Sequence, residues 1–219
     1  MPFTEFLTDL SDRIFGRFAS RFARRYAREL DVPEHFVEML LLIEDKRFSV
    51  HCGVDPIAIV RAAVFNLRGC ALQGASTIPQ QVFRVCPGRV WGATRRRTFG
   101  EKARQSLWSV YQSLITPKRV LLRKYIDNVY WGGSIYGLDA AARAYFHTGR
   151  NSLSVAQSFF LAERIAMPNG FSFRRVSNLV RRRAIRNALH RRSASGRDVA
   201  SLYEAFSNLG GDLWQSLER

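Results

Sequence analysis

Helical periodicity runs through nearly the whole chain and constrains its fold more than any other feature. From the N-terminus, Phe3, Phe6, Leu7, Leu10, Ile14, Phe18, Phe22 and Tyr26 recur every three or four positions, with Arg13, Arg17, Arg21, Arg24, Arg25 and Arg28 between them. That spacing gathers the apolar side chains along one stripe of a helix. An aromatic stripe opposite an Arg-rich face suits a helix lying in a membrane interface, and equally a surface helix packed on its own core. Asp55-Pro56 sets a capping residue before a first-turn proline, and Ile57–Leu67 continues apolar. Thr77-x-x-Gln80 and Ser154-x-x-Gln157 have capping-box spacing and open helices through Val85 and Ala166. Helices are also expected from about Glu101 to Ile115, from Thr116-Pro117 through Trp131, and over Leu138–Phe146. Arg174–Arg192 reads as one basic helix with eight arginines and no acid, and Cys86–Gly100 as an exposed connection. No segment alternates as a half-buried strand does, so the expected class is all-α.

Composition narrows the function. With 219 residues and 47% hydrophobic content, the chain can bury a substantial core, which excludes wholesale disorder. Its three cysteines, Cys52, Cys70 and Cys86, form neither a disulfide framework nor a metal-binding spacing. The net charge of +16 predicts a polyanionic partner: nucleic acid, an anionic membrane face or a phosphorylated substrate. Stacking aromatics are not interleaved with the basic runs, so nucleic acid is not expected. No signal peptide is visible, and no apolar run reaches the roughly 18–20 residues of a spanning helix.

Two segments concentrate chemistry. Glu44 and Asp45 stand with Phe48 and His51 where a helix gives way to a loop, a setting in which scaffolds present reactive groups. Gly74-Ala75-Ser76-Thr77 then supplies small residues, hydroxyls and free N–H groups at a helix N-terminus, followed by Gln80 and Gln81 in an otherwise apolar helix start.

Together these segments resemble the peptidoglycan glycosyltransferases of glycosyltransferase family 51, over roughly residues 31–192. Glu44-Asp45-x-x-Phe48-x-x-His51-x-Gly53 matches the family's first motif. Gly74-x-Ser76-Thr77-x-Pro79-Gln80-Gln81 matches the second, with Pro79 replacing a threonine. Lys118-x-x-Leu121-Leu122-x-x-Tyr125-Ile126-Asp127 resembles the fourth, and Tyr136-Gly137-Leu138 and Arg181–Ile185 complete the order. The resemblance implies a lysozyme-like helical lobe with a smaller membrane-proximal jaw. It divides the chain into a basic N-terminal helix (1–30), a glycosyltransferase domain (31–192) and a C-terminal segment (193–219).

It also implies a reaction: polymerisation of lipid II into β-1,4 glycan strands, with inversion and release of undecaprenyl pyrophosphate. Glu44 stands at the position of the family's general base. Asp45, Phe48, His51, Ser76, Thr77, Gln80 and Gln81 fall on substrate-binding positions, as do the basic residues Arg61, Arg84, Arg89 and Lys102. The family's third motif carries a second glutamate. Counting back from Tyr125 lands on Gln105, which would retain Lys102 but lose the carboxylate; a shifted alignment recovers the acid as Glu101. Gln105 is the favoured match. The alternatives are therefore a diverged member that binds lipid II with little turnover, and a lysozyme-like lytic muramidase. The implied partners are lipid II, the growing glycan strand and an anionic membrane surface at the periplasmic face of the cytoplasmic membrane. No cofactor is demanded by the sequence, although some relatives use a divalent cation, Mg or Mn.

Overall fold

The computed structural model describes residues 3–67, 74–85, 98–170 and 172–208. Eleven α-helices and one short 3-10 turn are found there: α1 (Phe3–Leu30), α2 (Glu34–Glu44), α3 (Pro56–Leu67), α4 (Ile78–Val85), α5 (Phe99–Ile115), α6 (Lys118–Asn128), α7 (Leu138–Phe146), α8 (Val155–Arg164), α9 (Phe173–Arg181), α10 (Arg183–His190) and α11 (Gly196–Asn208). No strand occurs among the described residues, only an isolated bridge between Tyr130 and Tyr136. The protein is all-α, as its periodicity predicts.

α2 is the axis of the molecule. Every residue from Phe36 to Leu42 is buried, a pattern that only a helix surrounded on all sides can have. α1 and α8 pack along it, and α10 closes a further side. α8 begins at the expected Ser154–Gln157 capping box and is buried from Ser158 through Arg164. α4 packs between α5 and α6, and hydrogen bonds from Ile78 and Gln81 tie it to Asp45 and Glu44 at the end of α2. α1 is the expected amphipathic helix: Ala19, Phe22, Ala23 and Ala27 enter the core, while Ile14 and Phe18 remain exposed.

The end of α6 and the start of α5 differ from those read in the sequence. α6 stops at Asn128 rather than Trp131, because Val129 turns extended and Tyr130 pairs with Tyr136 around a glycine turn. Gly132 (φ 97°) is required in that turn, since a Cβ there would lie 2.5 Å from the Pro168 carbonyl oxygen. Trp131 instead enters the core and donates its indole N–H to the Leu161 carbonyl at 2.8 Å. α5 starts at Phe99, ahead of Glu101, because Thr98 and Glu101 form a reciprocal capping box. The rest of the expected 86–100 connection up to residue 97 lies outside the described residues.

The basic Arg174–Arg192 segment is two helices, broken at Arg182, which takes φ −61°, ψ 130°. The break aims its guanidinium at the Leu42 carbonyl at the end of α2 (3.0 Å) and at Asp12 of α1 (3.1 Å). The segment's missing acids are supplied by other helices. Arg175 donates to buried Glu163 of α8 at 2.9 Å, and Arg192 pairs with buried Glu38 of α2 at 2.6 Å. Half of these arginines stitch the core together: Arg175, Arg182, Arg191 and Arg192 each meet an acid from another helix.

Candidate functional site

The end of α2 builds the site. Glu44 is its last residue, and Asp45 breaks the helix with φ −156°, ψ 72°. The Asp45 carboxylate is fully engaged: Oδ1 lies 2.9 Å from His51 Nε2, and Oδ2 accepts the Ile78 backbone N–H at 2.9 Å. That second bond ties the α2 terminus to the first turn of α4, where a carboxylate meets the helix dipole favourably. The Thr77–Gln80 capping box forms as predicted: Thr77 N–H donates to Gln80 Oε1 at 3.0 Å, and Gln80 N–H approaches Thr77 Oγ1 at 3.4 Å. Thr77 Oγ1 also donates to the Gly53 carbonyl. Gly53 needs its φ of 92°, because a Cβ would run into the Ser109 carbonyl of α5.

Glu44 itself is held by a relay. Tyr125 of α6 donates to Gln81 Oε1 at 2.5 Å, and Gln81 Nε2 donates to Glu44 Oε2 at 2.9 Å. The tyrosine hydroxyl fixes which end of the Gln81 amide faces the carboxylate. Burial pushes the Glu44 carboxyl above the ordinary glutamate range. The Gln81 hydrogen bond and the nearby Arg175 and Arg84 oppose that rise without cancelling it. A carboxylate raised in this way is suited to taking a proton near neutral pH.

A cavity of about 320 Å³ opens beside Glu44. Its walls carry Lys46, Arg61, Arg175 and Arg182, with Ser76 and Thr77 at the start of α4. Arg61 Nε is buried with no hydrogen-bond partner among the described residues. Lys46 donates to Asp12 at 2.7 Å; burial, with Arg182 beside it, brings Lys46 down to about 8. A small cavity walled by guanidiniums and N–H groups is an anion receptor. It does not fit a divalent cation, since the Asp45 and Asp55 carboxylates are already engaged and five basic side chains, Arg47 among them, line the cavity.

The third-motif alternatives separate clearly in space. Glu101 closes its own capping box at the surface, its Oε2 accepting the Thr98 N–H at 3.2 Å. Gln105, one turn on, is buried and donates to the Gln80 carbonyl. Lys102 reaches Ser76 Oγ at 2.9 Å and Gln105 Oε1 at 3.5 Å, while Gln80 Nε2 meets Ser106 of α5 at 2.9 Å.

The remaining sequence candidates have different surroundings. Phe48 is buried edge-on against Phe22, with Lys118 Nζ 4.9 Å from its ring centroid, and does not line the cavity. His51 braces Asp45, and its carbonyl accepts from Lys118 at 2.6 Å. Arg89 lies outside the described residues. Tyr125, Lys46, Arg175 and Arg182 join the site although they are not among the residues expected there from the sequence. Tyr125, Lys46 and Arg182 already lay within the quoted motifs, Arg182 in Arg181–Ile185, whereas Arg175 could be placed only by the fold of α9.

Comparison with known proteins agrees with this architecture. The family model described as transglycosylase matches residues 11–192. A biosynthetic peptidoglycan transglycosylase of Stutzerimonas stutzeri is 33% identical over 157 residues, covering 70% of this chain and 62% of that protein. Penicillin-binding protein 1A of Aquifex aeolicus is 36% identical over 132 residues, covering 60% of this chain and 18% of that protein. Penicillin-binding protein 1A of Haemophilus influenzae is 37% identical over 135 residues, covering 60% and 15% respectively. The chain thus spans less than two thirds of the length of these relatives. With the family model covering the body of the chain from the middle of α1 to the end of the basic segment, this protein belongs to the transglycosylase family.

Proposed function

We propose that this chain polymerises lipid II into β-1,4 glycan strands, inverting the anomeric carbon and releasing undecaprenyl pyrophosphate. The observation that carries this reading is Glu44: a raised carboxyl, oriented by one amide, at the wall of a cavity lined with cations. The two demands of the reaction fall on different groups. Glu44 removes the proton from the acceptor sugar's 4-hydroxyl as the new bond forms. Arg61, Lys46, Arg175 and Arg182 meet the negative charge that grows on the departing pyrophosphate. Lys102, steadied by Ser76 and Gln105, adds a further cation near the start of α4. Asp45, His51, Thr77 and Gln80 hold the two helix ends in register and act through that geometry.

Gln105 favours a second reading, lipid II binding with little turnover. Its buried amide offers hydrogen bonds but no negative charge. Incubating the full chain with fluorescent lipid II separates the possibilities. A ladder of glycan products on a gel is the expected result. Soluble muropeptides released from preformed glycan would identify a lytic enzyme, and lipid II binding without product would identify a silent binder.

The substrate is a lipid, and apolar surface is available to meet a bilayer. Leu107, Tyr111, Leu114 and Ile115 are exposed along one face of α5, and Ile57 and Val60 on α3. No helix among the described residues is long and apolar enough to cross a membrane. These faces, with basic α1, support a peripheral seat on an anionic membrane, and the proposed reaction would put that seat at the periplasmic side.

A further inference from the structure

The groove between α1, the start of α2 and the end of α10 takes no part in the chemistry above. It lies at the opposite end of α2 from Glu44; Glu34 and Glu44 are separated by about 15 Å of helical rise. Its volume is about 570 Å³, and its walls are Arg17, Ser20, Arg21, Arg24, Glu34, Glu38, Arg191 and Arg192. Glu38 is fully buried and anchors one wall. Arg191 Nη2 lies 2.5 Å from Glu38 Oε1, which Ser20 also reaches, and Arg192 Nη1 lies 2.6 Å from Oε2. Arg192 Nη2 donates in addition to Glu34 at 2.7 Å. Both acids are therefore already engaged by the α10 arginines.

The facing wall has no such compensation. Arg17, Arg21 and Arg24 follow helical spacing along α1, are exposed, and pair with no acid among the described residues. Five guanidiniums thus share one groove with two occupied carboxylates, an arrangement that an anion between them relieves. Their paired N–H groups match the oxygens of a phosphate. Ile14 (50% exposed) and Phe18 (37% exposed) continue the exposed side of α1 beside Arg17 and Arg21, setting apolar surface at the rim. A free inorganic ion gains nothing from such a rim, whereas a phospholipid can place its phosphate in the groove and its glycerol and upper acyl chain against Ile14 and Phe18.

We propose that this groove is a second anion site, separate from the Glu44 cavity, which takes the phosphate of an anionic phospholipid headgroup. It does not depend on glycosyl transfer and is tested without it. The full chain is sedimented with vesicles of phosphatidylcholine containing about one third phosphatidylglycerol. The variant Arg17→Gln/Arg21→Gln/Arg24→Gln is compared with the charge-matched control Arg143→Gln/Arg186→Gln/Arg197→Gln, whose residues are exposed and lie outside the groove. Circular dichroism verifies that both remain helical. The expected result is a loss of vesicle affinity on the order of a hundredfold for the groove variant, and at most about threefold for the control. Equal losses in both variants would reduce the effect to bulk charge and overturn the site, as would no loss in the groove variant. Displacement of wild-type protein from vesicles by about 10 mM inorganic phosphate, with ionic strength held constant, would show that free phosphate occupies the groove and overturn the lipid assignment.

Discussion

Glu44 owes its character to burial and to two neighbours in a relay, Gln81 and Tyr125. Its carboxyl is raised by burial, and the Gln81 amide is the largest influence pulling it back. A base works only when deprotonated, so activity rises with pH through the Glu44 titration. Gln81→Leu removes a bond to the charged form, so the acid limb of kcat/KM moves to higher pH, each unit costing about tenfold on the acid side. Tyr125→Phe keeps the ring but frees the Gln81 carbonyl to turn, and shifts the limb in the same direction by less. A limb unmoved in both variants would mean that the relay does not tune Glu44. Glu44 and Gln81 were legible in the sequence because both lie in short motifs. The hold of Tyr125 on Gln81 was not, since it joins residues 44 positions apart.

α5 shows how helix ends decide the assignment of a side chain. Spacing alone left Glu101 and Gln105 as rivals one turn apart. The Thr98 cap sets them in different surroundings: Glu101 closes the capping box, while Gln105 turns inward to α4. Glu101→Ala should therefore cost about 1 kcal/mol of stability in urea denaturation, with the rate per folded molecule unchanged. Gln105→Glu should raise the polymerisation rate severalfold by restoring a carboxylate beside Lys102. A large rate loss in Glu101→Ala with no gain in Gln105→Glu would reverse the two roles. The helices themselves were mostly visible, because α4 and α8 carry their capping boxes and α2 its apolar run. The break at Arg182 was hidden, because nothing local stops that helix. It follows from the pull of Asp12 and the Leu42 carbonyl, both distant in sequence.

The excess of positive charge has three destinations. Some arginines stitch helices together, some line the Glu44 cavity, and some face outward from α1. Asp12 links the first two roles by accepting from both Lys46 and Arg182 on the cavity wall. Burial alone would raise its carboxyl, but the two cations outweigh that and hold it below the ordinary aspartate value. Its contribution is thus present above about pH 4 and fades as the pH falls further. Asp12→Ala leaves buried Lys46 without its carboxylate and should destabilise the fold by about 3–5 kcal/mol in urea melts at neutral pH. A negligible change would mean that α1 is not coupled to the cavity wall through this residue. Net charge was plain from composition, but its division among these roles depends on which acids the fold brings to each arginine. In the proposed reaction Glu44 drives the extension of glycan strands. The most direct measurement is the rate of ladder formation from lipid II by wild type and by Glu44→Gln, with lipid II binding measured on the same samples. The expected result is a loss of about 10²–10⁴-fold in rate with binding retained; a ladder that forms at the wild-type rate in Glu44→Gln would contradict a role for Glu44 as the base.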